Sequence, residues 1–244
     1  MGSYISKLAE LISAGSRIVF FGGAGVSTES GIPDFRSEDG VFSAIRKYGY
    51  PPEELLSHSF FARKPDIFYR YYKELLMSTD AKPNDAHIAL AQLEQMGKLS
   101  AVVTQNIDGL HQKAGSKNVF ELHGSIHRNY CMKCHRFFDA EYVKNHSGIP
   151  YCPCGGMIKP DVVLYEEALD PDVMRGAAKH IQNADMLIIG GTSLQVYPAA
   201  GFIDCYSGNK LVLINKSRTP YDGRADLVIN APIGQVFRQV MESL

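Results

Sequence analysis

The chain has 244 residues, 45% apolar and 21% charged, an ordinary globular make-up that excludes a disordered or fibrous chain. Its 25 Lys and Arg stand against 26 Asp and Glu, so no basic excess points to nucleic acid or to anionic lipid as a partner. No apolar run approaches the ~18–20 residues of a spanning helix, which excludes a helical membrane span.

In chain order, Ile5, Leu8, Leu11 and Ile12 recur at helical spacing and predict an amphipathic helix over 3–14. After Gly15, the apolar run 17–21 reads as a buried strand and empties into Gly22-Gly-Ala-Gly25. Further strand-length apolar runs lie at 101–104, 186–189, 211–214 and 226–229, with helical patterns over 84–96, 171–182 and 233–244. Continuous apolar strands alternating with amphipathic helices predict a parallel sheet covered on both faces, an α/β doubly wound fold. Two stretches interrupt the alternation. Residues 36–82 are rich in Tyr, Phe and Pro and read as helices and loops without a sheet strand, and 126–159 hold paired cysteines and turn formers. Both read as insertions that together form a second lobe, leaving 1–35, 83–125 and 160–244 as the larger domain.

The N-terminus shows no signal-peptide layout. Four of the five cysteines cluster in pairs, which favours a reducing compartment and a metal site over a disulfide scaffold. The expected location is the cytoplasm.

A strand running into Gly23-Ala24-Gly25 can bring backbone N–H groups close to phosphate oxygens. A tight structural turn is the competing reading, and Thr28 stands where the usual dinucleotide fingerprint wants a third glycine. The polar run from Ser27 to Ser37, with hydroxyls, an acid, Phe35 and Arg36, favours ligand binding. Past the strand at 101–104 comes Thr104-Gln105-Asn106-Ile107-Asp108-Gly-Leu-His111, whose amides and carboxylate suit a ribose and a carboxamide; an Asx turn capping the next helix is the alternative. Glu121-Leu-His123-Gly124 then supplies a candidate general base in His123.

Cys131-Met-Lys-Cys134 and Cys152-Pro-Cys154 are separated by 17 residues. Four converging thiolates point to one tetrahedral, structural Zn²⁺; a redox disulfide pair is the rival. The second pair is a tight C-x-C knuckle, relieved by Gly155-Gly156. Lys133, His135 and Arg136 lie nearby but are too few to suggest DNA. Cys205 reads as core.

The ordered set of these motifs, with Lys159-Pro-Asp-Val-Val-Leu-Tyr165, Gly191-Thr-Ser193 and Ile214-Asn-Lys216, resembles the sirtuins of short bacterial type, from about residue 17 to the end. The resemblance implies a Rossmann-like domain, a zinc-binding lobe, and NAD-dependent removal of acetyl from lysine with release of nicotinamide and O-acetyl-ADP-ribose. It implies a dinucleotide site at Ala24, Thr28, Phe35, Arg36, Thr192, Ser193, Asn215 and Ile233. Gln105, Asn106, Ile107 and Asp108 would border the nicotinamide, with His123 and Asn106 catalytic. Cys131, Cys134, Cys152 and Cys154 would hold zinc. Val163, Leu164 and Tyr165 would dock an acetylated protein substrate as an extended peptide by β-augmentation. The acyl oxygen would attack C1′ of the nicotinamide ribose while His123 takes a proton from the ribose hydroxyls. Sirtuins that prefer succinyl or malonyl groups resemble one another in a Tyr-x-x-Arg pair; here Tyr69 is followed by Tyr72 in the arginine's place, so a neutral acyl group is expected. The expected assembly is a monomer with no membrane or nucleic-acid partner. The rivals are a mono-ADP-ribosyltransferase on the same fold and a non-catalytic NAD or zinc binding module.

Overall fold

Six parallel strands carry the larger part of the chain in a computed structural model that describes residues 2–33, 44–194 and 197–244. The strands are β1 (Ile18–Gly22), β2 (Leu99–Thr104), β3 (Val119–Glu121), β7 (Met186–Gly190), β8 (Leu211–Ile214) and β9 (Leu227–Ile229). Their spatial order is β3-β2-β1-β7-β8-β9, which is the dinucleotide-binding, Rossmann order in which the sheet grows outward in both directions from its first strand. β1 pairs with both neighbours, Phe20 opposite Val102 on one side, where the register shifts between Ile18 and Val19, and opposite Ile188 on the other, where it is unbroken.

Every residue of β1, β7 and β8 is buried, because helices cover both faces. Ile18, Phe20, Val102, Ile188 and Val212 pack on one face against Ile5, Leu8, Leu90, Val236 and Phe237. Those partners come from the helices Gly2–Ala14, Asp85–Gln95 and Ile233–Met241. Val19, Phe21, Val103, Leu187, Ile189 and Leu213 fill the opposite face with Ala177 and Ile181 of the helix Pro171–Gln182 and with Phe202 and Ile203. The expected helices thus appear within a few residues of their sequence limits. Cys205 ends a short helical turn, half-buried against that second core.

The chain leaves the large sheet between β3 and β7 to build a second, antiparallel sheet from β4 (Gly124–Cys131), β5 (Phe137–Phe138) and β6 (Ile158–Val162), in the order β5-β4-β6. No strand is legible there in the sequence, and the reason is a register shift between Ser125 and Asn129 that breaks the alternation of β4 against β6. Neither interrupting stretch has a core of its own. Phe60, Phe61, Phe68 and Tyr72 of the first pack with Ile126, Val143 and Ile158 of the second. Arg128 joins this sheet to the larger one, donating to Glu121 at the end of β3 and to Asp161 on β6, each at 2.7 Å. Among the described residues, no helix is long and apolar enough to cross a membrane.

Candidate active site

The connections from β1 and β7 run to opposite sides of the sheet, which opens a crevice beyond their carboxyl ends, where open α/β sheets bind ligands. The two loops meet there closely. Gly25 N–H donates to Gly191 O at 2.8 Å, and a Cβ on Gly25 would lie 2.8 Å from Gly191 Cα. Gly191 itself has φ +58°, so both positions require glycine. Thr28 Oγ1 donates to Gly25 O at 3.0 Å and holds the turn. Thr192 Oγ1 accepts from Gln105 Nε2 at 3.1 Å, tying the β7 loop to the β2 loop. Ser193 is exposed and Asn215, after β8, is half-buried with its amide on Ser217 O. Ile233 is buried in the core, with Gly190 packed against its side chain. Phe35 and Arg36 lie outside the described residues.

The segment after β2 is held from several sides. Gln105 N donates to Gly22 O, Asn106 N to Thr104 Oγ1 and Ile126 N to Ile107 O, all at 3.0 Å. His127 Nε2 donates to Asp108 O. At its centre stands Ser27, 1% exposed, a residue of the polar run after the glycine loop to which the sequence alone gives no separate role. Ser27 Oγ accepts from Asn106 Nδ2 at 3.0 Å and donates to Asp108 Oδ2 at 2.7 Å. The other carboxylate oxygen of Asp108 accepts from Leu110 N at 2.9 Å. Asp108 thus makes the Asx turn, although the N-cap of the helix Leu110–Ala114 is Gly109, which has no side-chain cap, and the same carboxylate also anchors the polar network. A serine in a polar loop is ordinarily exposed, so nothing local in the sequence marks this one as buried.

His123 follows β3 across the crevice. Its Nδ1 lies 3.0 Å from Gln105 O. A carbonyl only accepts, so Nδ1 carries the proton in that contact and the basic lone pair belongs to Nε2. Behind the network sit two more imidazoles, His87 and His111, fully buried with ring centroids 4.7 Å apart. Burial pushes His87 down to about 4 against the opposing pull of Asp108. His111 is likewise driven well below its ordinary value, first by burial and then by His87.

His123, Ala24, Ser27 and Gln105 to Asp108 line a cleft of about 260 Å³ that Val163, Leu164 and Tyr165 close from the other side. β6 ends at Val162, so these three residues lie beyond the strand, with Tyr165 in an isolated parallel bridge to Ser57. Their N–H groups are already engaged: Val163 with His123 O, Tyr165 with Leu56 O, and Leu164 with Glu167 Oε2. Glu167 also accepts from Lys159 and meets His58 Nδ1 at 2.8 Å. Despite the cost of its burial, the Leu164 N–H, His58 and Lys159 hold its carboxyl below the usual range. The acids lining the cleft are Glu53, Asp108, Glu166 and Glu167, and among the described residues no Lys or Arg lines it. Tyr69 and Tyr72 are buried in the aromatic core of the second lobe, away from the cleft lining.

The four paired cysteines bring their Sγ atoms within 4.8 Å of one another. Three of the separations are 3.4, 3.5 and 3.6 Å, far beyond the ~2.05 Å of a disulfide. They approach the edge of about 3.8 Å that a tetrahedron with Zn–S near 2.3 Å requires. Gly155 has φ +80° and Gly156 packs against Cys131 Sγ, so the glycine pair does admit the tight knuckle. The donor set fits one zinc ion with no open position.

A family model described as the Sir2 family matches residues 23–198. The chain is 61% identical over 244 residues to an NAD-dependent protein deacetylase of Clostridium perfringens, covering 99% of this chain and 100% of that one. It is 48% identical over 238 residues to the protein of that name from Cutibacterium acnes, with 98% of each covered. A solved structure of Sir2 with a p53 peptide and NAD⁺ superposes with a TM-score of 0.87 at 39% identity over 98% of both chains. A Sir2 structure with a deacetylated p53 peptide and 3′-O-acetyl-ADP-ribose gives 0.89 at 40%, again over 98% of both.

Proposed function

The chain belongs to the Sir2 family, and from that premise we propose that it is an NAD-dependent protein lysine deacetylase, transferring acetyl to ADP-ribose and releasing nicotinamide. The observation that carries the reading is the single cleft in which His123, the Gln105–Asp108 segment and the Val163–Tyr165 segment face one another. Bound NAD supplies a cleavable nicotinamide–ribose bond. An amide oxygen is a poor nucleophile, so alignment and exclusion of water must lower the barrier.

The chain's own groups serve those ends. The glycine turn at 23–25, Thr28, Thr192 and Ser193 form the phosphate side of the dinucleotide site, with Asn215 toward the adenosine ribose. Asn106 and Asp108, locked through Ser27, border the nicotinamide end. His123, with its proton fixed on Nδ1, takes a ribose hydroxyl proton at Nε2. The extended peptide lies along Val163–Tyr165. The three N–H groups of that segment are engaged internally, and Leu164 O and Tyr165 O already accept from Glu167 N and His58 N, so the peptide is held there through the cleft's side chains and Val163 O as much as by strand pairing. Cys131, Cys134, Cys152 and Cys154 hold one structural zinc ion outside the reaction.

In this reading 1–35, 83–125 and 160–244 bind the dinucleotide, while 36–82 and 126–159 complete the peptide side. The setting proposed is the cytoplasm, as a monomer without nucleic-acid partners; unbridged cysteines support a reducing compartment. The test is mass spectrometry of an acetyl-lysine peptide with and without NAD, run beside His123→Ala. Loss of 42 Da (about one acetyl group), dependent on NAD and abolished in a variant that still binds NAD, is expected. Unchanged turnover by His123→Ala removes the base, and label from NAD fixed on protein instead of on acetyl-ADP-ribose favours the transferase rival.

A further inference from the structure

Glu29 is the one acid of the glycine-loop segment within the described residues, and the proposed chemistry gives it no role. It lies in a short helical turn, Thr28–Ser30, directly after the loop. Its Oε2 accepts from Gly234 N at 2.6 Å, across 205 positions of sequence. Gly234 belongs to the first turn of the helix Ile233–Met241, whose N-cap, Pro232, offers no side-chain acceptor. A helix leaves its first N–H groups unpaired and carries partial positive charge there. Glu29 thus caps this helix from a distant part of the chain.

The same helical turn touches the loop pair at a second place. Ile233 packs against Gly190, and Gly190 O accepts from Gly23 N at 3.3 Å. On the far side of the loop, Asn84 Nδ2 donates to Val26 O at 2.8 Å and to Ser30 Oγ at 3.0 Å. Asn84 caps the helix Asp85–Gln95, and Asp85 of that helix pairs with Arg238 of the C-terminal helix. Loop and two helices therefore close a ring, and Glu29 to Gly234 is the link that joins the loop to the last helix.

We propose that Glu29 is a positioning residue for dinucleotide binding, which holds the loop at 23–31 in its binding shape by anchoring it to the first turn of the C-terminal helix. This rests on reading that loop as part of the NAD site. The contact depends on the absence of a side chain at 234, since a Cβ there would lie 2.8 Å from Glu29 Oε2 and 3.0 Å from its Cδ. That separates positioning from mere stability. Gly234→Ala gains about 1 kcal/mol of helix propensity, which offsets the cap of similar size that is lost when the new Cβ pushes the Glu29 carboxylate away.

The experiment measures NAD affinity by calorimetry, KM for NAD and for acetyl-peptide, and Tm, for Glu29→Ala, Glu29→Gln and Gly234→Ala. Glu29→Ala is expected to weaken NAD binding roughly tenfold, the scale of a lost charge-assisted cap, with KM for peptide unchanged. Gly234→Ala weakens NAD binding in the same direction without lowering Tm, and Glu29→Gln, which keeps an acceptor, recovers part of the loss. Wild-type NAD affinity in either alanine variant overturns the proposal. If the unsubstituted protein neither binds NAD nor releases nicotinamide, the deacetylase reading falls first, a result visible before any variant is compared.

Discussion

Removing one buried hydroxyl tests whether the polar node at the nicotinamide end works as a unit. In Ser27→Ala, Asn106 Nδ2 loses its acceptor at 3.0 Å and Asp108 Oδ2 loses its donor at 2.7 Å. Ser27 is 1% exposed, so water does not readily replace the hydroxyl. One neutral hydrogen bond at about 1 kcal/mol and one to a carboxylate at about 1.5–3 kcal/mol give a loss near 3 kcal/mol. Part of the Asp108 loss is spared, because Leu110 N still holds its other oxygen, and about 2 kcal/mol is the expected destabilisation. For a chain of this size that lowers Tm by roughly 4–8 °C. Asp108→Asn breaks the same charged contact, so the two substitutions must couple. A double-mutant cycle by urea unfolding is expected to show at least about 1 kcal/mol of interaction energy. The kinetic counterpart is a fall in kcat/KM of roughly tenfold or more, since alignment is what the node supplies. Stabilities that add to within about 0.5 kcal/mol would show that Ser27 and Asp108 act independently, and the reasoning would fail.

Three further outcomes are expected. Cys154→Ser lowers bound zinc from one ion per chain and costs solubility along with activity, because the metal ties the Cys131–Cys134 turn to the Cys152–Cys154 knuckle, and Cys131 and Cys152 are part of the buried core beneath them; full folding without metal, read by circular dichroism and elemental analysis, would refute this. Acidification destabilises the protein through His87 and His111, which stay neutral in the fold while the unfolded chain takes up protons below pH ~6.5. Stability is therefore full above that value and declines toward pH 4, by about 3 kcal/mol for His87 alone. His111→Phe should flatten the urea midpoint between pH 7 and 5, and an unaltered slope would count against it. Acetyl and propionyl peptides should be processed well ahead of succinyl peptide, whose distal carboxylate would meet Glu53, Glu166 and Glu167 with no Lys or Arg among the described lining residues; faster succinyl removal would overturn that.

What could be read from the sequence was whatever repeats at short range. β1, β7 and β8 announce themselves as unbroken apolar runs because both faces of each are covered, and the helices Gly2–Ala14 and Pro171–Gln182 show their buried stripe at helical spacing. The cysteine set is legible for the same reason, since ligand type and loop length are both local. β4 was not, because the register shift after Ser125 breaks the period on which recognition depends.

The site divides along the same line. Asn106, Asp108 and His123 stand out in the sequence because each sits just past a strand end, where sheet geometry alone predicts a ligand, and the structure brings all three to one cleft. Ser27, the buried imidazole pair His87 and His111, and the Glu29 contact with Gly234 do not stand out, although Ser27 and Glu29 lie in a stretch already singled out. Their meaning comes from partners 79 to 205 positions away, or 24 for the imidazoles, and from burial that a polar loop does not advertise. The groups that line the cleft are thus visible one motif at a time. The contacts that hold those motifs rigid belong to the fold as a whole, and pre-organisation, not the identity of the reacting groups, is where alignment-driven catalysis draws its rate.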